Sequence, residues 1–577
     1  MDEPALIQTK GGTLVKERKF NLVDEPWILV RKPDETVESV SLKDALLQSQ
    51  NYLDLAGETD PQNAAILRIL LAIVHKAILE NDPDGHPDLL EDPVDALERW
   101  SKIWNQGVLP AVSIERYLEE HHDEFWLIDE DNPFFQAPMA SIGTHYDVSK
   151  LIGNLAESSN KLRLFSSRAR EGKKSIDYAE SARWTCHLNS YDDTSAKKKG
   201  NVEEKLSPGA GWLGKIGQIY ASGQSLFETL MLNCVLLRSE SEVYPPDHPS
   251  WEEPQSRWKQ RHHVPQPEDF SGLMTWRSRL ILLETNDDRV TGYTLLGGEF
   301  FDRENCFVEP FTLWKTTRPK KSEPAVYVPK RHSSSRQLWR DFSSLILPRS
   351  GSTGSADRSP GIIDWLSLLV NEEILDDEYP LILKAPYVTY GDKDFFVTDV
   401  SSQNLRIQTG LLGEPGQDWL ERIAEQIAVI DKAALYAGYY YENLLAAKGA
   451  PAHDRGNERA KGMAALYSLI NEPFSSWLAS ISVEKEAGPA QQKEKVQEWV
   501  DTIVGLINRW RRELLEEQVF CMDPAQLFGR VVVDEKGNEQ LECSLRADMI
   551  FASQIRKLYP AAKIYQEERR LNDEQTK

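Results

Sequence analysis

The chain has 577 residues, 67 Lys and Arg against 91 Asp and Glu, a formal net charge of -24, and 40% hydrophobic residues including 16 Trp. That length exceeds one core and predicts two or more domains, while the apolar content excludes a disordered chain. So acidic a balance excludes a general polyanion binder, whose affinity grows with the phosphates it neutralises, but leaves room for local contacts.

Residues 1–20 alternate charge with short apolar pieces and lack the continuous apolar run of a signal peptide. In "KFNLVDEPWILVRK" (19–32) Val, Ile and Trp flank a turn-forming Asp-Glu-Pro, and with "ETVESVSL" this predicts an opening in short strands. Ser41 and Asp44 in "SLKDALL" have the spacing of a helix N-cap. In "AAILRILLAIVHKAIL" (64–79) Ile66, Leu70, Ile73 and Ala77 recur at helical spacing beside Leu67, Leu71, Val74 and Ile78. That width of apolar surface predicts a mostly buried helix. Arg68, His75 and Lys76 interrupt the stretch, which is too short to span a bilayer, so a soluble chain is expected and His75 reads as a core or boundary residue.

Between about 105 and 410 the pattern is irregular, with short strand-like runs, many prolines and loops such as "GSTGSADRSP" (351–360). "EEHHDEFWLIDED" (119–131) is the best metal-like cluster. On a helix, however, His121 and His122 would project about 100° apart, whereas chelation of one ion needs a spacing of three or four. "RHH" (261–263) fails for the same reason.

Positive charge is gathered locally. Lys161, Arg163, Arg168, Arg170, Lys173 and Lys174 meet one acid, Glu171; eight basic residues from Lys315 to Arg340 meet one, Glu323. "YDDTSAKKKGN" (191–201) sets three lysines among small residues. Such islands in an acidic body indicate contact at chosen points. "APYVTYGDKDFFVTDV" (385–400) places two runs rich in Tyr, Val, Thr and Phe around Gly391-Asp392, which predicts a β-hairpin with 391–394 at its tip.

After "GLLGEPGQ" (410–417) Leu420, Ile423, Ile427, Ile430 and Ala434 step by three and four, as do Val496, Val500, Ile503, Ile507, Trp510 and Leu514. With further helical stretches near 459–481 and 542–559, this predicts a C-terminal four-helix bundle. The expected fold class is α+β: an irregular mixed N-terminal domain (1–410) followed by the bundle (411–577). Acidic faces such as Glu513, Glu516 and Glu517 should meet solvent or basic partners rather than a phosphate backbone.

Cys186, Cys234, Cys306, Cys521 and Cys543 are odd in number and widely spaced, with no CxxC, which fits a reducing cytoplasm. There is no GxxxxGK(S/T), GxSxG or HExxH, and no GxGxxG opening a helix. No enzyme, cofactor or metal is therefore expected. The residues alone leave two other readings open, a metal-dependent hydrolase built on 119–131 and a purely protein-binding helical scaffold.

Asn21, Leu22, Pro26, Trp27, Ile28 and Val30 in "NLVDEPWILV" are followed in order by "NPFFQAP" (132–138), "LFSSR" (164–168), "ARWTCHLNSYDD" (182–193), "GWLGKIG" (211–217), "LFETLMLNCVLL" (226–237) and "RQLWRDFSSL" (336–345). Together with the closing bundle, this order resembles the CasA-type large subunit of the type I-E CRISPR Cascade complex, from about residue 20 onward. The resemblance implies a non-catalytic subunit beside the crRNA 5′ handle and other Cascade subunits. Such a subunit recognises the protospacer-adjacent motif (PAM) in double-stranded DNA, promotes duplex opening for R-loop formation and recruits the helicase-nuclease, with no membrane involved.

It also implies roles for residues. Ser195, Ala196 and Gly200 would let the main chain approach the PAM minor groove while Lys197, Lys198 and Lys199 meet phosphates. This loop is richer in Lys and poorer in Gly than the family's. Gly391, Asp392 and Lys393 align with the family's wedge, which commonly carries glutamine; phosphates would repel Asp392, leaving the work to Lys393 or the backbone. Phe165, Ser166, Ser167, Arg168 and Arg170 align with a loop that docks near the crRNA 5′ end, with Ser167 where the family has asparagine and the two arginines as candidates for RNA phosphates. The tract 315–340 receives only a general role along DNA.

Overall fold

The structure, a computed structural model, describes residues 18–157, 166, 168–194, 209–259, 263–317, 326–346, 357–450, 455–486, 488–520, 529–533, 537 and 539–576. Helices and short antiparallel sheets are mixed through the first part of the chain, and helices dominate its C-terminal part. The chain divides into two compact units: one takes Met1–Arg331 with Pro386–Ser402, the other His332–Ala385 with Gln403–Lys577. A single cut at 410 does not describe this division. The strands Pro380–Tyr390 and Val397–Gln408 are 11 and 12 residues long, so the outer part of their hairpin belongs to the first unit and its base to the second.

In the first unit the opening strands form as their sequence predicts. Lys19–Asn21 pairs with Trp126–Ile128, and Ile28–Arg31 lies between Val37–Val40 and Asp54–Leu55. Trp27 is fully buried and donates from Nε1 to the Leu22 carbonyl at 2.9 Å. Ser41 caps the helix Leu42–Leu47 by accepting from the Asp44 amide at 3.0 Å.

The apolar stretch becomes the helix Asp60–Glu80, longer at both ends than the periodicity alone predicts because Thr59 caps it and Pro61 suits its first turn. Among the described residues it is the one helix long and apolar enough to cross a membrane, yet 94% of its apolar window is buried inside the protein. Its polar interruptions are paired rather than disruptive. Arg68 makes a two-pronged contact with Glu309 at 3.2 and 2.9 Å. His75 is a core residue, with Nδ1 2.5 Å from Asp247 Oδ2, Nε2 3.0 Å from the Val235 carbonyl and its ring stacked on Phe270. The helix Tyr178–Tyr191 packs against this core helix. A three-stranded antiparallel sheet, Arg279–Asn286, Arg289–Gly297 and Thr144–Asp147, completes the frame that positions the candidate site.

The second unit holds the four predicted helices as Gln417–Ala447, Arg455–Ala479, Pro489–Phe520 and Ser544–Leu558. Leu420, Ile423, Ile427, Ile430 and Ala434 are buried as their spacing requires. Phe474, Trp477 and Trp499 form an aromatic cluster within it. A fifth helix, Lys563–Thr576, and a β-hairpin, Arg530–Val533 with Glu539–Glu542, add to the four-helix expectation. Glu513 and Glu516 are exposed, as expected; the side chain of Glu517 lies outside the described residues.

Two glycines in this bundle separate helix propensity from packing. Alanine in a helix interior gains up to about 1 kcal/mol over glycine. At Gly505 an added Cβ meets nothing within 4 Å, whereas at Gly462 it lies 2.5 Å from the Ala437 carbonyl oxygen of the neighbouring helix. Gly505→Ala therefore raises the denaturation midpoint of the full chain, and Gly462→Ala lowers it, because overpacking at roughly 1–3 kcal/mol exceeds the propensity gain.

A buried histidine supplies a pH test of the first unit. Burial pushes His187 down from 6.5 to about 4, against the opposing pull of Asp192 and Glu58. The unfolded chain thus takes up a proton near pH 6.5 that the folded chain refuses until about 4, so stability falls as pH drops through this window. The unfolding free energy of wild type minus that of His187→Phe should fall by up to ~3 kcal/mol from pH 7 to pH 4, measured by denaturant titration.

Candidate nucleic-acid interface

The candidate interface is built on one buried guanidinium. Arg279 opens an edge strand of its three-stranded sheet and is fully buried; its Nε donates to Asp192 Oδ2 at 2.6 Å, and its Nη2 donates to the carbonyls of Asp193 at 2.8 Å and Gly209 at 2.7 Å. Asp192 and Asp193 follow directly on the helix Tyr178–Tyr191, whereas Gly209 comes from the far side of the lysine-bearing segment. The amide of Gly211 also donates to the Asp192 carbonyl at 2.9 Å, and a Cβ there would meet the Ser190 carbonyl oxygen at 2.3 Å, so glycine is required for this closure. Both ends of segment 194–208 are thereby tied to one place. Ser195, Ala196, Lys197, Lys198, Lys199 and Gly200 themselves lie outside the described residues.

Two lysines mark the electrostatics of this base. Burial opposes the Lys150 ammonium, but Asp192 and Asp193 outweigh it and hold its pKa above the ordinary lysine value; its Nζ donates to Asp193. Lys215 has no such relief: burial, with Arg279, Arg303 and Arg331 adding repulsion, pushes it down to about 8.

The hairpin tip stands against the start of the same segment. Gly391 donates from its amide to the Phe396 carbonyl at 2.8 Å, and the amides of Asp394 and Phe395 donate back to Gly391 and Asp392 at 3.0 and 3.2 Å. Lys393 and Asp394 are left-handed, with φ of 54° and 59°. Two successive non-glycine residues in that region are costly and persist only where their surroundings over-determine them. Here Thr194 does so, donating from its amide to the Asp394 carbonyl at 2.9 Å and from Oγ1 to the Lys393 carbonyl at 2.7 Å. Arg331 adds a contact from Nη1 to both Asp394 carboxylate oxygens at 2.9 Å and lies over the Tyr390 ring. Tyr390 in turn donates to the Tyr191 carbonyl at 2.6 Å, in space left by Gly214, where a Cβ would sit 2.1 Å from its hydroxyl. Asp392 and Lys393 are exposed. The structure therefore brings together the predicted wedge and the residue immediately before Ser195.

The predicted crRNA-end loop is described in part. Phe165 and Ser167 lie outside the described residues. Ser166 accepts from the Arg168 amide at 3.1 Å. The Arg168 guanidinium is paired with Glu180, which also accepts from Trp184 Nε1 at 3.0 Å, so this charge is held within the fold. Lys173 pairs with Glu157 at 2.7 Å and Lys174 with Glu171 at 2.8 Å. Arg170 is exposed, with φ of 50°, and makes no ion pair among the described residues.

The tract 315–340 divides likewise. Strands Trp314–Thr317 and Val326–Pro329 form a hairpin whose turn, with Arg318, Lys320 and Lys321, lies outside the described residues. Arg336 pairs with Asp341 at 2.8 Å, and Arg340 pairs with Asp431 at 3.3 Å while lying over Tyr467.

The 119–131 cluster is not one helix. His121 caps the helix Ala111–Glu120 and His122 begins a 3-10 turn. The His121 ring packs at a tilt against Tyr117 and lies 3.7 Å from Glu252, whereas His122 Nε2 lies 2.8 Å from Asp24, so the two rings serve different neighbours. Among the described residues no three His, Cys, Asp or Glu side chains are grouped to hold a metal ion. His263 pairs with Asp302 at 3.1 Å; Arg261 and His262 lie outside the described residues, as do residues 351–356 and Cys521. The other four cysteines are buried and unpaired.

Sequence reasoning missed Thr194, Arg279 and Arg331. Arg331 belonged to a noted basic tract, but nothing local pointed to Asp394 as its partner.

A curated CasA/Cse1 from Thermus thermophilus is 28% identical over 427 residues, covering 71% of this chain and 78% of that protein. The crystal structure of Thermobifida fusca Cse1 matches with a TM-score of 0.77 and 26% identity, covering 94% of this chain and 98% of that one. A chain of a CRISPR RNA-guided surveillance complex shares the fold with a TM-score of 0.56 and 17% identity, over 96% of this chain and 99% of that one. The family model for CRISPR-associated protein Cse1 matches residues 21–509. On that match, which spans the braced hairpin and most of the bundle, the chain belongs to the CRISPR-associated protein Cse1 family.

Proposed function

We propose that this chain is the non-catalytic large subunit of a type I-E CRISPR surveillance complex in the cytoplasm. It recognises the PAM in duplex DNA through Ser195–Gly200, promotes opening for R-loop formation with the hairpin tip at Gly391–Lys393, and recruits the helicase-nuclease. Segment 165–170 docks it beside the crRNA 5′ handle and the other Cascade subunits, and no cofactor, metal or membrane takes part. Family membership supports this reading, and so does the fold shared with a chain of an RNA-guided surveillance complex.

The observation that carries the reading is the tie from Thr194 to the carbonyls of Lys393 and Asp394. A protein that reads a groove and then parts the adjacent base pairs needs the reading and parting elements at a fixed spacing, and a shared anchor supplies it. In the minor groove the hydrogen-bond code is degenerate, so close main-chain approach and groove width are what can be read. Small residues allow that approach, and three adjacent lysines counter the repulsion of an acidic body. Separating a base step takes roughly a few kcal/mol, which contacts at the tip must offset.

In the assembled complex, replacing Lys197, Lys198 and Lys199 with alanine should flatten the slope of log affinity against log salt for PAM-bearing duplex by up to about three units. An unchanged slope would remove the loop assignment. Arg331→Ala releases Asp394 and loosens the tip, so strand opening beside the PAM, followed by 2-aminopurine fluorescence, should slow by roughly three- to tenfold while duplex binding changes less. DNA carrying a preformed bubble should restore the wild-type rate; equal opening of intact duplex by Arg331→Ala and wild type would count against the wedge.

A further inference from the structure

Phe395 and Phe396 follow the hairpin tip and are 48% and 40% exposed, the only strongly exposed phenylalanines among the described residues. Burying a phenylalanine is favourable, so two adjacent exposed rings at a strained turn call for a reason. The two rings differ in their surroundings. Phe396 lies over Gly391, where an added Cβ would be 2.4 Å from its ring, so this glycine provides room for packing and Phe396 is part of the turn. Phe395 is the more exposed of the two and directly follows Asp394, the residue clamped by Thr194 and Arg331.

We infer that the Phe395 ring stacks on a nucleobase unpaired at the first opened base pair, making it a positioning residue for strand separation. The inference rests on the wedge reading of the hairpin.

Charge decides what kind of contact this tip can make. Asp394 is neutralised by Arg331, and the exposed Asp392 and Lys393 cancel each other, so the tip offers phosphates no net attraction. A base face is uncharged, and an aromatic ring stacks on any base without reading its identity, as opening of arbitrary targets requires. The brace on Asp394 holds the neighbouring ring in place beforehand, which lowers the ordering penalty on contact. Apolar wedge residues that enter a base step act in the same way.

The test uses the assembled complex and PAM-bearing duplex with 2-aminopurine at the first positions beside the PAM. Stacking of one base on an aromatic ring is worth roughly 5- to 150-fold by alanine substitution, so Phe395→Ala should slow opening by about tenfold or more. Because no phosphate contact is lost, the salt slope of duplex binding should stay at its wild-type value. Phe395→Tyr should keep most of the rate, Phe395→Leu should keep only part of it, and a preformed bubble should bypass the defect.

If Phe395→Ala opens duplex at the wild-type rate while Arg331→Ala is impaired, the hairpin is a wedge without this stack and the inference alone fails. If neither Phe395→Ala, Lys393→Ala nor Arg331→Ala alters opening, the wedge reading fails with it. If Phe395→Ala instead prevents assembly with the partner subunits, the ring is a protein contact and the inference is overturned.

Discussion

A guanidinium buried without an anion is among the least tolerable groups in a protein interior, and the geometry of the candidate interface follows from how Arg279 avoids that state. Its Nε is matched to Asp192 and its Nη2 is shared between the carbonyls of Asp193 and Gly209. Removal of the arginine would take from the buried Asp192 the cation it is hydrogen-bonded to, and breaking a buried pair this way is worth roughly 3–5 kcal/mol. The arrangement also fixes position. A side chain that reaches these three acceptors at once holds them in a narrow range of separations, so the two ends of the lysine-bearing segment are set by the first residue of one strand. Thr194, one residue beyond Asp193, then meets the hairpin tip without further adjustment.

The hairpin shows a second consequence of long-range pairing. Its outer part, Pro386–Ser402, is grouped with the first unit although the flanking residues are grouped with the second. The tip is held in an unfavourable backbone conformation by partners from two other places in the chain: Thr194, with Tyr191 acting through Tyr390, at the end of one helix, and Arg331 just after a strand. Strain at Lys393 and Asp394 therefore reflects the surroundings rather than the turn sequence. A turn so determined can present exposed side chains with little freedom to relax.

Much of the architecture was legible because it depends on local period. Ile66, Leu70, Ile73 and Ala77, and later Leu420, Ile423, Ile427 and Ile430, carry their helices in their spacing, and Ser41 announces the helix it caps. The hairpin at 385–400 was legible from its β-rich flanks, but the role of its glycine was not. Gly391 has φ of -73° and is there to make room for Phe396, whereas the left-handed residues are Lys393 and Asp394. The polar partnerships were illegible for a different reason. Arg68 finds Glu309 across 241 residues, His75 finds Asp247 across 172, and Thr194 finds Lys393 across 199. In a sequence such residues register only as interruptions of an apolar pattern. The polar helix Lys563–Thr576 was missed because it has too few apolar residues to show a face.

Basic residues in so acidic a chain have two possible uses, and the structure separates them. Arg168, Lys173, Lys174, Arg331, Arg336 and Arg340 all sit in the runs that the sequence marks as islands, yet each is matched to a carboxylate of the same chain. A charge already paired gains less from a phosphate than a free one, because the existing partner must be given up or shared. Local net charge in a sequence therefore overstates what is available to a nucleic acid. An acidic body that must approach a duplex does better with a few exposed cations beside small residues, and with contacts that carry no charge. An uncharged aromatic ring held at a braced tip meets that second condition, since stacking on a base is neither weakened by the acidic surroundings nor screened by salt.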